Sequence, residues 1–271
     1  MKIPHQALAT PATKEHAILS PMSDTLHITT YNIHKGFSQF NKRMMLHELK
    51  EQLHQMHADL VFLQEVQGEH LGHAERHEDW PEEPQYEFLA DELWGDFAYG
   101  KNAVYPQGHH GNAVLSRYPI VAWENINIST HTMESRGLLH CEVEIPGWND
   151  KLHCVNVHLG LGGRGRLKQL QAIRDRIQKV VPPHAPLIIA GDFNDWRIQA
   201  GDFLARSLHV REVFEQLHGA SAKSFPAAMP MLRLDRIYYR GLKLKTAFVH
   251  HGRPWSRISD HAALSATMSR T

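Results

Sequence analysis

Apolar positions recur along the chain in two rhythms. His27–Ile33 alternates and is β-branched, as a half-buried strand is. Met45, Leu46, Leu49, Leu53 and Met56 fall at helical spacing with Lys and Glu between them. Leu167, Leu170, Ile173, Ile177 and Val180 repeat that spacing until Pro182-Pro183 stops it. Leu60–Glu65 and Leu187–Ala190 are continuous apolar runs, the mark of strands buried on both faces. Strands are also predicted at Phe97–Val104 and Asn112–Ser116 around a turn at Tyr105–Gly111, and at Leu138–Ile145 and Leu152–His158 around a Pro-Gly-Trp-Asn-Asp turn. Leu234–Tyr239, Ala247–His250 and Ala263–Met268 complete the strands, while the acidic, His-rich stretch from Val66 to Leu93 predicts loop and short helix. Many strands come in hairpin-like runs, with a few helices among them. That pattern predicts an α/β (α+β) domain of layered mixed sheets covered by helices over 27–271, preceded by a flexible segment 1–26.

Composition changes this picture little. Lys+Arg and Asp+Glu both number 29, so no overall field draws in nucleic acid or an anionic membrane, although a local pocket can still be basic. The two cysteines, Cys141 and Cys154, are too few for a disulfide framework; they lie in successive strands and read as buried free thiols, with a facing pair as the other reading. No run approaches the roughly 20 apolar residues of a membrane span, and the N-terminus lacks a signal peptide's apolar core. A soluble cytoplasmic protein is the expectation, with no obligate protein partner evident and peripheral membrane contact left open.

The chemistry lies where predicted strands end. Asn32 and His34 close the first strand, Glu65 the second, His158 closes VNVHLG, and Asp192 and Asn194 close LIIAGDFND. Asn112 opens GNAVLSR, Asp235 precedes IYY, and Asp260-His261 precede AALSA. A carboxylate beside apolar residues is costly to desolvate unless it is paired or binds a cation. One such residue reads as a cap or turn; the whole set reads as strand ends converging on one pocket. Glu65 and Asp260, with the amide oxygen of Asn32, are hard oxygen donors suited to Mg²⁺ or Mn²⁺. Asp192 and Asn194, two apart in extended chain, point the same way, so one can take a proton from water while the other holds the water or a phosphate. His158 and His261 can donate to charge growing on phosphoryl oxygens, and Asp235 can hold one imidazole in its working tautomer.

The ordered set resembles the endonuclease/exonuclease/phosphatase family. Its pieces are YNIHKG, LQEV, GNAVLSRYP, SRG, VHLG, GDFND, LDRIYY and SDHAALS, running from Tyr31 to Ser265. The stretch DFAYGKNAVYPQGHHGNAVLSRYPI further resembles the small bacterial YbhP-like branch. The resemblance implies a DNase I-like four-layer sandwich of two packed mixed β-sheets flanked by helices. It implies a Mg²⁺-dependent phosphoesterase, Mn²⁺ substituting, that cuts a phosphodiester or phosphomonoester in nucleic acid, phospholipid or a small molecule. By the same resemblance Asn32, Glu65 and Asp260 surround the metal, and His261 and Asp192 prepare the water in either order. Asp235, His158 and Asn194 support that chemistry, and Asn112 and Arg136 bind phosphate.

Some features point elsewhere. Val66-Gln67-Gly68 follows Glu65 where nucleases of the family often carry a Tyr or Arg, and basic residues interleaved with aromatics are sparse. Arg253-Pro-Trp255-Ser-Arg257 is the best local candidate for a nucleic-acid face; an ordinary loop with one anchoring Trp explains it equally well. Gly160-Leu-Gly162-Gly163-Arg-Gly165 spells a dinucleotide fingerprint between a strand and a helix, but an oxidoreductase leaves Asn32, Glu65, Asp260 and His261 without a purpose. This loop is expected to form a flexible rim, with Arg164 and Arg166 either meeting phosphate or solvated. Lys35, Tyr105, His109 and His110 stand beside the expected pocket as phosphate or substrate contacts, or as surface residues. A non-catalytic binding protein on the same fold would be expected to have lost Asp192, His261 or Glu65, and none is lost.

Overall fold

The structure, a computed structural model, describes residues 25–38, 43–70, 80–91, 93–131, 134–196 and 200–271. The expected flexible segment lies outside them up to residue 24; Thr25 and Leu26 already belong to the first strand. The described strands are β1 (Thr25–Asn32), β2 (Leu60–His70), β3 (Asp96–Tyr105), β4 (Gly108–Ser116), β5 (Ile120–Asn127), β6 (Gly137–Val143), β7 (Leu152–His158), β8 (Leu187–Asp192), β9 (Arg211–Glu212), β10 (Asp235–Arg240), β11 (Leu242–His250) and β12 (Ala263–Arg270). The helices are α1 (Leu46–Gln55), α2 (Gln85–Ala90), α3 (Gly163–Val180), α4 (Ala200–Leu208), α5 (Val213–His218) and α6 (Trp255–Ile258).

Two six-stranded mixed sheets result, ordered β11-β12-β1-β2-β4-β3 and β5-β6-β7-β8-β10-β9. Each contains one parallel pair, β1–β2 and β7–β8, and the connection within each pair carries the amphipathic helix expected there, α1 or α3. Leu26, Ile28, Leu60, Phe62 and Val114 of the first sheet meet Leu139, Cys141, Cys154, Ile188 and Ile237 of the second in a core between the sheets. On the outer faces α1, α2 and α6 cover the first sheet, and α3 and α4 cover the second. The expected sandwich with helices outside is therefore the fold observed. Cys141 and Cys154 sit directly opposite each other in register, buried and unbonded, with burial pushing both thiols up.

Several elements depart from the sequence-based expectation. β5 was not predicted because it is an edge strand with little buried surface, leaving Val121 and Trp123 exposed and no apolar alternation to read. β2 continues past Glu65 to His70 into the stretch expected as loop. The short α4 and α5 were also unanticipated.

The β2 extension is made possible by a break in its ladder. Register with β4 shifts between Leu63 and Val66, and Glu65 takes a left-handed backbone, φ 56°. The strand beside this break is held from the other sheet: buried Asn156 of β7 donates its amide to Leu63 O and Ala113 O, both at 2.8 Å, and accepts from Gln64 Nε2 at 2.8 Å. One side chain thus joins β2 and β4 to β7 across the apolar interface. Asn156→Ala would remove three buried hydrogen bonds that cross between the sheets, so it is expected to destabilise by about 3 kcal/mol. A urea denaturation midpoint unchanged from wild type would contradict that role.

Candidate active site

The parallel pairs explain why the polar residues gather. Asn32 and Glu65 lie at or beyond the C-terminal region of the β1–β2 pairing, and His158 and Asp192 end β7 and β8. β10 runs antiparallel to β8, so its first residue, Asp235, stands opposite Asp192. His158, Asp192 and Asp235 therefore form one row across the second sheet. β12 runs antiparallel to β1, which brings the preceding Asp260 and His261 to the end of β1. Gly191 is required here: at φ 142° a Cβ would overlap the Val157 carbonyl of β7.

Side-chain contacts link the two sheets at this point. Asn32 Nδ2 donates to Asp192 Oδ2 at 3.1 Å and to Glu65 Oε1 at 3.4 Å, while its oxygen accepts the His34 N–H at 3.1 Å. Asp192 Oδ1 accepts the Asn194 N–H at 2.9 Å, and Asn194 donates its amide to Leu159 O at 3.0 Å. His158 Nε2 and His261 Nε2 lie 3.5 and 3.9 Å from Asp192 Oδ2. His261 Nδ1 is bonded to Asp235 Oδ2 at 2.9 Å. His34 Nδ1 lies 3.4 Å from Asp260 Oδ1. Ser259, not singled out from sequence, is the hidden hinge of the group: its hydroxyl donates to Asn32 O at 2.7 Å and accepts the His261 N–H at 3.2 Å.

Backbone strain is concentrated in the same place. His34, Lys35, Glu65 and Asn194 all have positive φ without being glycine. Lys35 is held by buried Gln85, whose amide donates to Lys35 O while its oxygen accepts the Gln67 N–H, both at 2.8 Å. Gln85 thus ties the turn after β1 to the strand after Glu65.

The electrostatics divide the acids into two kinds. Burial opposes ionisation of Glu65, but His158, Lys35, His34 and His261 outweigh it and hold the carboxyl down at about 2. Burial pushes Asp192 up to about 7, with His261 pulling down and Asp235 pushing up. For His261 burial favours the neutral ring, yet Asp235, Asp192 and Asp260 prevail and raise it to about 10. His158, buried and facing Arg136, is lowered to about 3 and is neutral.

Asp192, Asp235 and His261 form a cluster, among the described residues, whose ligand atoms lie within 4.8 Å of one another. Within it His261 Nδ1 is already bonded to Asp235 Oδ2 at 2.9 Å. Glu65 differs: it is ionised, and its carboxylate has as hydrogen-bond donor only the distant Asn32 amide among the described residues. Glu65 is thus a hard oxygen donor of the kind that fits a cation such as Mg²⁺.

Three residues singled out from the sequence are held by the protein itself. Arg136 is half tethered: its guanidinium donates to Glu134 Oε1 at 2.8 Å, Leu159 O at 3.1 Å and Ser135 O at 3.1 Å, leaving one N–H on each terminal nitrogen. Asn112 spends its amide on Gly137 O at 3.1 Å, and its buried oxygen has no partner. Arg166 is not solvated; it is buried and donates to Gly160 O and Leu161 O. Glu134 accepts the Leu161 N–H at 3.2 Å, and Gln169 accepts the Gly160 N–H at 2.9 Å. Side chains of the protein therefore take the first two N–H groups of the glycine loop.

The model of the Endonuclease/Exonuclease/phosphatase family matches residues 29–261. The chain belongs to that family. It is 46% identical to the uncharacterized protein YbhP of Escherichia coli K12 over 88% of this chain and 94% of that protein. A UPF0294 protein of Vibrio parahaemolyticus is 33% identical over 42% of this chain and 39% of its own length. Among solved structures, an endonuclease/exonuclease/phosphatase from Beutenbergia cavernae superimposes with TM-score 0.71 at 20% identity, covering 91% of this chain and 72% of that one. D. rerio TDP2 complexed with single strand DNA product gives TM-score 0.66 at 22% identity, covering 91% and 100%. These likenesses establish the DNase I-like fold; family membership also makes a hydrolytic phosphate-ester site the frame for the geometry above. No described helix is long and apolar enough to cross a membrane.

Because the folded pKa of His261 lies above its ordinary 6.5, the pair with Asp235 stabilises fully below that value and fades as pH rises through about 10. In the metal-free protein His261 is expected to remain protonated past about pH 8, and Asp235→Asn to lower its titration. Histidine ring NMR checks this; a variant that titrates as the wild type does would refute the pairing.

Proposed function

We propose that this family member is a divalent-metal-dependent phosphodiesterase that attacks phosphorus with a water prepared by Asp192. The observation that carries the reading is the pairing of Asp192 with His261, two groups 3.9 Å apart that are both raised, which moves the acid toward its neutral form and the imidazole toward its charged form. Asp192, raised to about 7, has the proton affinity of a general base near neutral pH. His261, raised to about 10 and oriented by Asp235, carries a proton and donates it to charge developing on the phosphoryl group. Of the two orders left open by the sequence, the one with Asp192 as base therefore has the better support.

The remaining residues take positions around these two. His158 offers a neutral N–H beside Asp192, and Asn194 fixes one Asp192 oxygen through its backbone. Glu65 and Asp260 are the proposed ligands of Mg²⁺ or Mn²⁺, with Asn32 bordering them and joining Glu65 to Asp192. The ion, when bound, would neutralise a non-bridging oxygen and polarise the P–O bond. Arg136, with its two uncommitted N–H groups, and Asn112 are proposed phosphate contacts. The DNA product on the structurally similar TDP2 supports a diester substrate, whether in nucleic acid, phospholipid or a small molecule.

Bis-p-nitrophenyl phosphate is expected to be hydrolysed with Mg²⁺ or Mn²⁺ and to be left intact in EDTA. Asp192→Ala and His261→Ala should each lower the rate at least ~10²-fold. Undiminished turnover in either variant, or full turnover in EDTA, would contradict the proposal.

A further inference from the structure

A cationic stretch hides in a chain of zero net charge. Between Gly219 and Ile258 there are eight lysines and arginines and a single carboxylate, Asp235, which is buried against His261. Lys223, Arg253 and Arg257 are exposed. Within this stretch the loop after Phe225 is pinned at its base and bare at its tip. Ser224 N and Phe225 N both donate to Leu232 O, Met231 N donates to Phe225 O, and Ala227 N donates to Asp260 O at 2.7 Å. The Phe225 ring lies 5.1 Å from the ring of His261. Gly252 N donates to Ala227 O at 3.0 Å, which sets Arg253 beside the loop. The tip nevertheless holds Met229 65%, Met231 55% and Leu232 41% exposed.

Such an arrangement, apolar side chains projecting from a rigid base amid cations, suits an interface that is oily within and anionic at its surface. We propose that the Met229–Leu232 loop docks this protein on an anionic phospholipid surface and so presents the site to phosphodiester head groups. The substrate half of this rests on the phosphoesterase reading above; the docking half does not.

Nucleic acid shares the negative charge but asks for different side chains. Bases stack on aromatic faces, and the tip offers only methionine, proline and leucine. Trp255, the aromatic in the best basic segment, is buried and packs edge-on to Tyr31 at 5.7 Å. Trp196, an exposed aromatic, already carries the Arg166 guanidinium over its ring at 4.9 Å. A second copy of the chain would bring the same cations to the same face, and like charges repel. An anionic lipid surface satisfies both the charge and the aliphatic tip.

Sedimentation of the full chain with phosphatidylcholine vesicles, with and without phosphatidylglycerol, tests this, with a single-stranded oligonucleotide as competitor. Binding is expected to require phosphatidylglycerol, to resist the oligonucleotide, and to fall at least ~10-fold in Met229→Asp/Met231→Asp. Hydrolysis of soluble bis-p-nitrophenyl phosphate should stay unchanged in that variant, showing an intact site. Equal binding to neutral vesicles, equal binding by the variant, or displacement by the oligonucleotide would overturn the docking surface. Vesicle binding without metal-dependent cleavage of either diester would overturn the substrate assignment and leave the docking in place.

Discussion

The buried amide of Asn156 decides where chemistry can occur. β2 breaks its ladder with β4 after Leu63, and the Leu63 carbonyl beside the break lies inside an apolar sandwich, where polar groups need partners. Asn156 reaches from the opposite sheet to take that carbonyl, and Gln64 answers it. With the break stabilised, Glu65 can sit in a left-handed conformation and β2 can run on to His70. The fold thus spends a polar contact in its core to obtain a kinked strand with a carboxylate at the kink. Everything at the site is arranged around that carboxylate and the Asn32 amide joining it to Asp192.

A single architectural rule explains the remaining convergence. Each sheet has one parallel pair, so two strands in each end at the same edge, and antiparallel neighbours begin there. The sandwich stacks the two edges, and their groups sort by environment. Asp192, shut in, holds its proton into the neutral range, whereas Glu65, ringed by Lys35 and imidazoles, stays ionised. The separation of an acid that can accept a proton from an acid that can hold a cation supports assigning base and metal roles to different carboxylates.

Much of this was legible in the chain. The apolar runs and amphipathic helices set out most of the sandwich, because buried strands and one-sided helices leave periodic marks. Polar residues at the ends of apolar runs marked the site for the same reason. What escaped was whatever leaves no periodicity. β5 is an exposed edge strand. Arg166 looked like a solvent or phosphate group and is a buried brace of the glycine loop, since three-dimensional packing alone decides which carbonyls it meets. Ser259 and Gln85 act through long-range hydrogen bonds that no local spacing announces. The left-handed backbones of Glu65 and Asn194 fall on residues whose type does not demand them.

Calorimetric titration of Mn²⁺ into the metal-free chain, set against Glu65→Gln, tests most directly whether the kinked strand exists to hold a cation. The account predicts saturable binding in the wild type that weakens at least ~10-fold when the charge on Glu65 is removed with its shape kept. Binding of equal strength in the two proteins would contradict it.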